Sequence, residues 1–193
     1  MDDQVLYPAL AALCAAVALN LKLTIAALRA ARAMADPALP LAPGQQVPVV
    51  AARRLTGRHG RHPLRLAGAG HAWALLYLSS QCPKCRDKLA DIDLLLDAAE
   101  EAGLAMWLVS EEPGWRLRRF LRGRRLPQRT AMVSRRDYKR LNPNHASPAY
   151  QFVNHEGVLE ATGFIGDADW LALRAQLIQA DSVQTDAGQA RVA

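Results

Sequence analysis

Ala72-Trp73-Ala74-Leu75-Leu76-Tyr77-Leu78-Ser79-Ser80-Gln81-Cys82-Pro83-Lys84-Cys85 decides how the chain is to be read. Its first half is an unbroken apolar run of strand length, and the stretch from Arg86 to Ala102 beyond the cysteines is patterned as a helix. A strand that turns sharply into a helix leaves the helix's first N–H groups unpaired, so a sulfur placed there is stabilised as a thiolate. Cys82 is thereby the nucleophile. Cys85 lies one helical turn further on, close enough for its sulfur to attack a mixed disulfide on Cys82 and resolve it. With Pro83 and Lys84 between the sulfurs, the stretch carries the chemistry of a dithiol oxidoreductase.

Two blander readings compete. Zinc needs further ligands, and the chain's third cysteine, Cys14, stands in a different kind of segment, so a four-cysteine site within one chain is excluded. A mixed site would recruit His59 and His62, spaced His-x-x-His, or His145 and His155. Redox chemistry is preferred because strand, CxxC and helix in that order are its context, whereas these histidines sit in basic loops marked by Gly and Pro. An inert structural disulfide is disfavoured because so small a ring restricts the unfolded chain little.

Downstream, Leu89, Ile92, Leu95, Leu96 and Ala99 recur at helical spacing, with Asp87, Asp91, Asp93, Asp97, Glu100 and Glu101 on other faces. Gly103 stops that helix, and Leu104-Ala105-Met106-Trp107-Leu108-Val109 reads as a strand buried on both faces. Strand, helix, strand at this spacing suits a right-handed parallel crossover. The cysteines then lie at the carboxyl end of a central strand, where open α/β sheets place their sites.

Upstream, the 193 residues, 51% of them apolar, divide into a domain of ordinary size and an N-terminal extra piece. Val5 to Leu28 is almost wholly apolar, long enough as a helix to cross a hydrocarbon layer of roughly 30 Å. Residues 1–29 are therefore read as a single transmembrane anchor, with Lys22 placed to snorkel. A cleaved export signal is the rival, since Ala33-Met34-Ala35 resembles a cleavage site, but Asp2 and Asp3 stand where such a signal wants positive charge. Arg29 and Arg32 follow the span, so the positive-inside rule argues for a cytoplasmic domain, whereas disulfide chemistry argues for the outer side. Residues 30–46, with Pro37, Pro40, Pro43 and Gly44, read as a linker. Val47–Ala51 and Leu64–Leu66 then read as two strands of a hairpin around a loop rich in Arg, Gly and His.

Trp115 to Arg125 is expected to be a short basic amphipathic helix holding much of the net charge of +6. It is read as a solvated face; no recognition motif accompanies the charge, so nucleic acid is not an expected partner. Ser147 to Gly163 reads as two strands joined by a tight turn at Asn154–Gly157, after which Asp167-Ala168-Asp169 caps a helix with Trp170, Leu171, Leu173, Leu177 and Ile178 on its apolar face. The main domain thus occupies 47–180, and the polar, aperiodic residues 181–193 are expected to form a disordered tail.

The order of these elements, the Cys-Pro-Lys-Cys motif and a proline before a strand–Gly hairpin together resemble the thioredoxin-like superfamily. Leu78-Ser79-Ser80-Gln81-Cys82-Pro83-Lys84-Cys85 after an apolar N-terminus is similar to the membrane-anchored TlpA and MauD (methylamine utilisation) type, over a stretch from Pro43 to Ile178 plus the anchor. The resemblance implies an α/β thioredoxin-like fold: a central mixed sheet flanked by helices behind one transmembrane helix. It implies Cys82 as attacking thiol, Cys85 as resolving thiol, and a cis Ser147–Pro148 bond that faces them and offers backbone groups to an extended substrate. Pro143 competes for that role, but Tyr150-Gln151-Phe152-Val153 follows Pro148 as a strand should.

Departures are equally plain. Thioredoxins proper carry Trp before the first cysteine and a buried acid in the preceding strand; here Gln81 stands before Cys82, and Ala72–Leu78 holds no carboxylate. A proton relay to Cys85 is then expected to use water, Lys84 or Glu160. The resemblance implies a membrane-tethered enzyme on the periplasmic side of a bacterial inner membrane that forms, reduces or isomerises disulfides in an exported protein partner. For the MauD type that partner is the small subunit of an amine dehydrogenase, with a multi-spanning membrane protein as redox partner. No cofactor or metal beyond the redox-active disulfide is expected. A copper- or zinc-handling metallochaperone and a non-catalytic assembly factor are the alternatives; a peroxidase lacks the expected residues around the motif.

Overall fold

The computed structural model describes residues 13–14, 16–25, 41–56 and 64–189, with side chains as far as residue 179. The chain divides into two units, Met1–Ala38 and Leu39–Ala193. In the first, residues 16–25 form a helix, α1, whose side chains are all exposed. The expected span over 1–29 lies largely outside the described residues; among the described residues no helix is long and apolar enough to cross a membrane.

The second unit has a seven-stranded mixed sheet. In chain order its elements are β1 (Val50–Arg54), β2 (Leu64–Leu66), β3 (Ala72–Tyr77), α2 (Pro83–Glu101), β4 (Leu104–Ser110), α3 (Gly114–Phe120), β5 (Thr130–Met132), α4 (Arg135–Leu141), β6 (Ala149–Val153), β7 (Leu159–Phe164) and α5 (Ala168–Gln189). A 3-10 turn, Leu126–Arg129, precedes β5. Across the sheet the order is β2-β1-β5-β4-β3-β6-β7. β3 pairs in parallel with β4 and antiparallel with β6, and β4 pairs in parallel with β5.

β3 is buried on both faces because both of its faces are apolar. Ala74, Leu76 and the following Leu78 face a cluster built with Leu89, Ile92, Leu95 and Leu96 of α2, Leu117 of α3, and Trp170 and Leu177 of α5. Trp73, Leu75 and Tyr77 face the other cluster, with Val50, Leu66, Trp107, Tyr138 and Leu141. Sheet with helices on each side is the expected layering. The Tyr77 hydroxyl donates to Gln151 Oε1 at 2.7 Å, and Gln151 Nε2 donates to the Leu141 carbonyl at 2.8 Å, which fixes the end of α4 over β3 and β6.

Several expectations shift. The first strand is Val50–Arg54 and not Val47–Ala51, because residues 44–47 are drawn instead to the β6–β7 turn: Val47 N donates to Gly157 O at 2.9 Å and Gly44 N to Leu159 O at 2.8 Å. That end of the expected linker therefore belongs to the domain. β5 and α4 have no counterpart in the sequence reading; a three-residue strand carries too little pattern, and α4 is marked chiefly by its cap, Ser134, whose Oγ accepts from Asp137 N at 3.1 Å. The tail expected to be disordered beyond Ala180 continues as helix to Gln189, since Asp181 to Ala187 holds neither Gly nor Pro to stop it. The basic stretch is helical only over Gly114–Phe120; beyond it Arg125 turns back onto α2, donating through Nη1 to Asp97 and through its backbone N–H to Asp93 Oδ1 at 2.8 Å.

Asp167 closes the other end of the domain. Its carboxylate accepts from Phe164 N at 3.0 Å, Trp170 N at 2.9 Å and the Tyr150 hydroxyl at 3.2 Å, so one side chain caps α5, ends β7 and satisfies a buried phenol. Gly163 is required beside it: a Cβ there would overlap Asp167 Oδ2 and stand 3.0 Å from Tyr150 Oη. Asp167→Ala should destabilise the domain by about 2 kcal/mol, through a lost cap and a buried hydroxyl left unpaired. Urea unfolding checks this; an unchanged midpoint would show that the cap is dispensable.

Candidate active site

β3 delivers the chain to the site and α2 holds it there. After Tyr77, Leu78 is buried, and Ser79-Ser80-Gln81 turns the backbone toward Cys82, the N-cap of α2 with extended backbone (φ −92°, ψ 113°). Cys82 N donates to the Ser79 carbonyl and Cys85 N to the Cys82 carbonyl, both at 3.1 Å. Pro83 at the start of the helix removes an N–H that would have had no partner and supplies a φ already suited to the first turn. The result is two unlike thiols. Cys82 is half-buried, while Cys85 is wholly buried, 0% exposed, among the side chains beneath α2.

The third segment of the site is the loop before β6. The Ser147–Pro148 peptide bond is cis, and the Ser147 carbonyl lies 3.9 Å from Cys82 Sγ. The turn carrying Cys82 and Cys85 and the loop carrying Ser147 and Pro148 thus meet at the Ser147 carbonyl. Pro143 precedes the loop and has no cis bond. Pro83 and Lys84 are exposed on the outer side of the turn. Lys84 and Glu160, the expected proton carriers, are both exposed, and Glu160 stands on β7, beyond β6 from β3.

Three residues of the site were missed. Glu112, just past β4, accepts from Ser79 Oγ at 3.1 Å and Ser80 N at 2.9 Å through Oε1, and from Ser80 Oγ through Oε2. Glu111 faces His145 Nδ1 at 3.6 Å and Arg135 Nε at 4.0 Å, and its Oε2 is buried without a hydrogen bond. Tyr138 of α4 packs against the His145 ring, 5.3 Å between centroids. Burial pushes the Tyr138 hydroxyl up to about 12; a hydrogen bond from Asn142 Nδ2 opposes it, and the fields of Glu111, Glu112 and Cys85 add smaller upward effects. The available signal was positional: Ser110-Glu111-Glu112-Pro113 follows a parallel strand adjacent to β3 and so emerges at the same edge of the sheet.

Among the described residues no three His, Cys, Asp or Glu side chains converge as a ligand set. His155 sits in the β6–β7 turn, a full strand away from Pro148, and His59 and His62 lie outside the described residues.

Burial pushes the Cys85 thiol from its ordinary 9.0 up to about 11, with the adjacent Cys82 adding to the effect and hydrogen bonding to Ser79 and Ser147 opposing it. Because the folded value lies above the unfolded one, the protonated thiol's contribution to stability is fully present below about pH 9 and is lost as the pH rises through about 11. The reduced protein should therefore lose about 2 kcal/mol over that window beyond what a Cys85→Ala variant loses. Denaturant unfolding of both proteins across the window measures the difference; parallel curves would show that Cys85 titrates as an ordinary thiol.

No family profile matches the chain, and no curated protein does. Solved structures do. A thiol:disulfide interchange protein from a Bacteroides species aligns with a TM-score of 0.58 at 17% identity, over 71% of this chain and 91% of its own. The thioredoxin domain of a thiol-disulfide oxidoreductase from Bacteroides vulgatus aligns with a TM-score of 0.58 at 17% identity, over 71% and 99%. A peroxiredoxin-like protein from Aquifex aeolicus aligns with a TM-score of 0.55 at 14% identity, over 73% and 88%. At these identities the likeness is one of architecture, and on it the unit carrying Cys82 and Cys85 has the thioredoxin-like fold.

Proposed function

We propose that this chain is a thiol–disulfide oxidoreductase that works through the Cys82–Cys85 dithiol. The observation that carries the reading is the asymmetry of the two sulfurs: an accessible one at a helix N-cap, 3.9 Å from the Ser147 carbonyl of a cis-proline loop, and a wholly buried one a single helical turn away. Cys82, as thiolate, attacks a disulfide in the partner and expels one partner sulfur, which takes a proton. Cys85 then gives up its proton and attacks Cys82 Sγ, forming the intramolecular disulfide and releasing the second partner sulfur. Two electrons and two protons pass to the partner. Run backward, the same steps oxidise a partner dithiol. Pro148 and the Ser147 backbone position the partner segment against Cys82, and Pro83 and Lys84 set the distance between the sulfurs.

The finer reading rests on the sequence. The apolar stretch from Val5 to Leu28 supports a tether in the inner membrane, and the MauD-type resemblance of Leu78–Cys85 supports an exported, disulfide-containing partner on the periplasmic side, with an amine dehydrogenase small subunit as the specific case and a multi-spanning membrane protein as the electron partner. The partner of this chemistry is a protein; no nucleic acid and no resident metal or cofactor enters the scheme.

Titrating the full chain across glutathione buffers, with alkylation and mass analysis of the peptides, should show one reversible transition between two thiols and one Cys82–Cys85 disulfide. Cys85→Ser should trap a mixed disulfide on Cys82, and Cys82→Ser should abolish reaction with partner disulfides, a loss of at least about a hundredfold. Cysteines that never pair, or that pair only after a tightly held metal is stripped, would replace this reading with the metal-handling one. Retention of biological function by the double serine variant would favour the assembly-factor alternative.

A further inference from the structure

Cys82 is contacted by two backbone segments, and one dipeptide reaches both of them. Ser79, in the turn from β3, takes the Cys82 N–H on its carbonyl at 3.1 Å, and Ser147, in the loop before β6, presents its carbonyl to Cys82 Sγ. Glu112 receives three hydrogen bonds from the first segment, from Ser79 Oγ, Ser80 N and Ser80 Oγ. Glu111 faces His145, two residues before Ser147, in the second. Glu112 is itself held. Glu112 N donates at 3.1 Å to Ser110 Oγ, a side chain 2% exposed at the end of β4, and Pro113 next to it is the N-cap of α3. A carboxylate that takes three donors on a fixed stem holds its turn more tightly than a neutral acceptor would.

We propose that Glu111 and Glu112 form a two-armed brace across the dithiol, and that Glu112 is a positioning residue for Cys82. The proposal rests on the oxidoreductase reading above. Glu112 touches neither sulfur nor partner. It fixes the turn that sets where Cys82 Sγ stands over the buried Cys85, and hence how fast Cys85 closes the ring. In the step concerned, Cys85 thiolate attacks Cys82 Sγ in a mixed disulfide with glutathione, the Cys82–Cys85 bond forms, the bond to glutathione breaks, and glutathione thiolate leaves and is protonated. Misplacing reacting atoms by a fraction of an ångström slows such intramolecular steps steeply.

The test uses the full chain carrying Cys14→Ala, so that Cys82 and Cys85 are its only thiols. Reduced protein is mixed with glutathione disulfide, quenched with acid at intervals, and the glutathionylated species followed by mass. Glu112→Ala should prolong the mixed disulfide about tenfold, while Glu112→Gln, which keeps the acceptor for Ser79 Oγ and Ser80 N, should stay within about threefold of the parent. A merely structural role would lower the melting temperature of Glu112→Ala without lengthening the intermediate, and that result overturns the proposal. If Glu112→Ala does not fold, Ser79→Ala with Ser80→Ala removes the two hydroxyl donors and should prolong the intermediate in the same direction; an unchanged lifetime there also overturns it. A parent that never forms the intramolecular disulfide defeats the oxidoreductase reading itself, a different and separately visible failure.

Discussion

Tyr77 stands in register with Val109 on one side and Ala149 on the other. That registration is what the site depends on. Because β3 and β4 run parallel, both end at the same edge of the sheet, and because β6 runs antiparallel to β3, it begins there. Three chain segments remote in sequence, the turn into Cys82, Ser110-Glu111-Glu112-Pro113 and His145-Ala146-Ser147-Pro148, therefore meet without any of them needing to be long. The force that fixes the register is burial on both faces of β3: a slip of one residue would exchange Leu76 for Tyr77 between two packed layers of different shape.

The same burial explains what was legible in the sequence. An apolar run without alternation, Ala72–Leu78, identifies a central strand; a helix with Leu89, Ile92, Leu95 and Leu96 on one face identifies what covers it; and the next apolar run identifies a parallel neighbour. Together these fixed the fold class and placed the two cysteines at a strand-to-helix turn. Pro148 was legible because the strand after it is patterned. β5 was not, since Thr130-Ala131-Met132 owes its place to pairing with β4 and β1 and not to its own three residues. Nor were Glu111 and Glu112, because adjacent acids in a loop have the same sequence appearance whether they are solvated or gripping a neighbouring turn. Only the register of β4 beside β3 tells the two apart.

Charge follows a similar division. Arg125 and Arg129 look in sequence like part of one basic run, yet they pair with Asp97 and Glu100 of α2, so the strongest contrast of sign along the chain is partly cancelled within the fold. Each pair is at least partly exposed, and its contribution to stability is small. Their effect is local. They seat the segment after α3 against α2.

The absence of an acid in β3 then acquires a physical meaning. Position 76, in the layer beneath α2, is Leu, and Cys85 is buried in that layer with its proton retained well above neutral pH. A carboxylate placed there would have to be desolvated beside an apolar cluster, a cost of several kcal/mol unless it were paired or protonated. The chain instead keeps its carboxylates at the rim of the sheet, on Glu111 and Glu112, where one grips the redox turn and the other faces the loop before Pro148. The core beneath α2 stays apolar and well packed. On the proposed chemistry, Cys85 is thereby held inert until a partner occupies Cys82, and the position of Cys82 is governed from the rim and not from below.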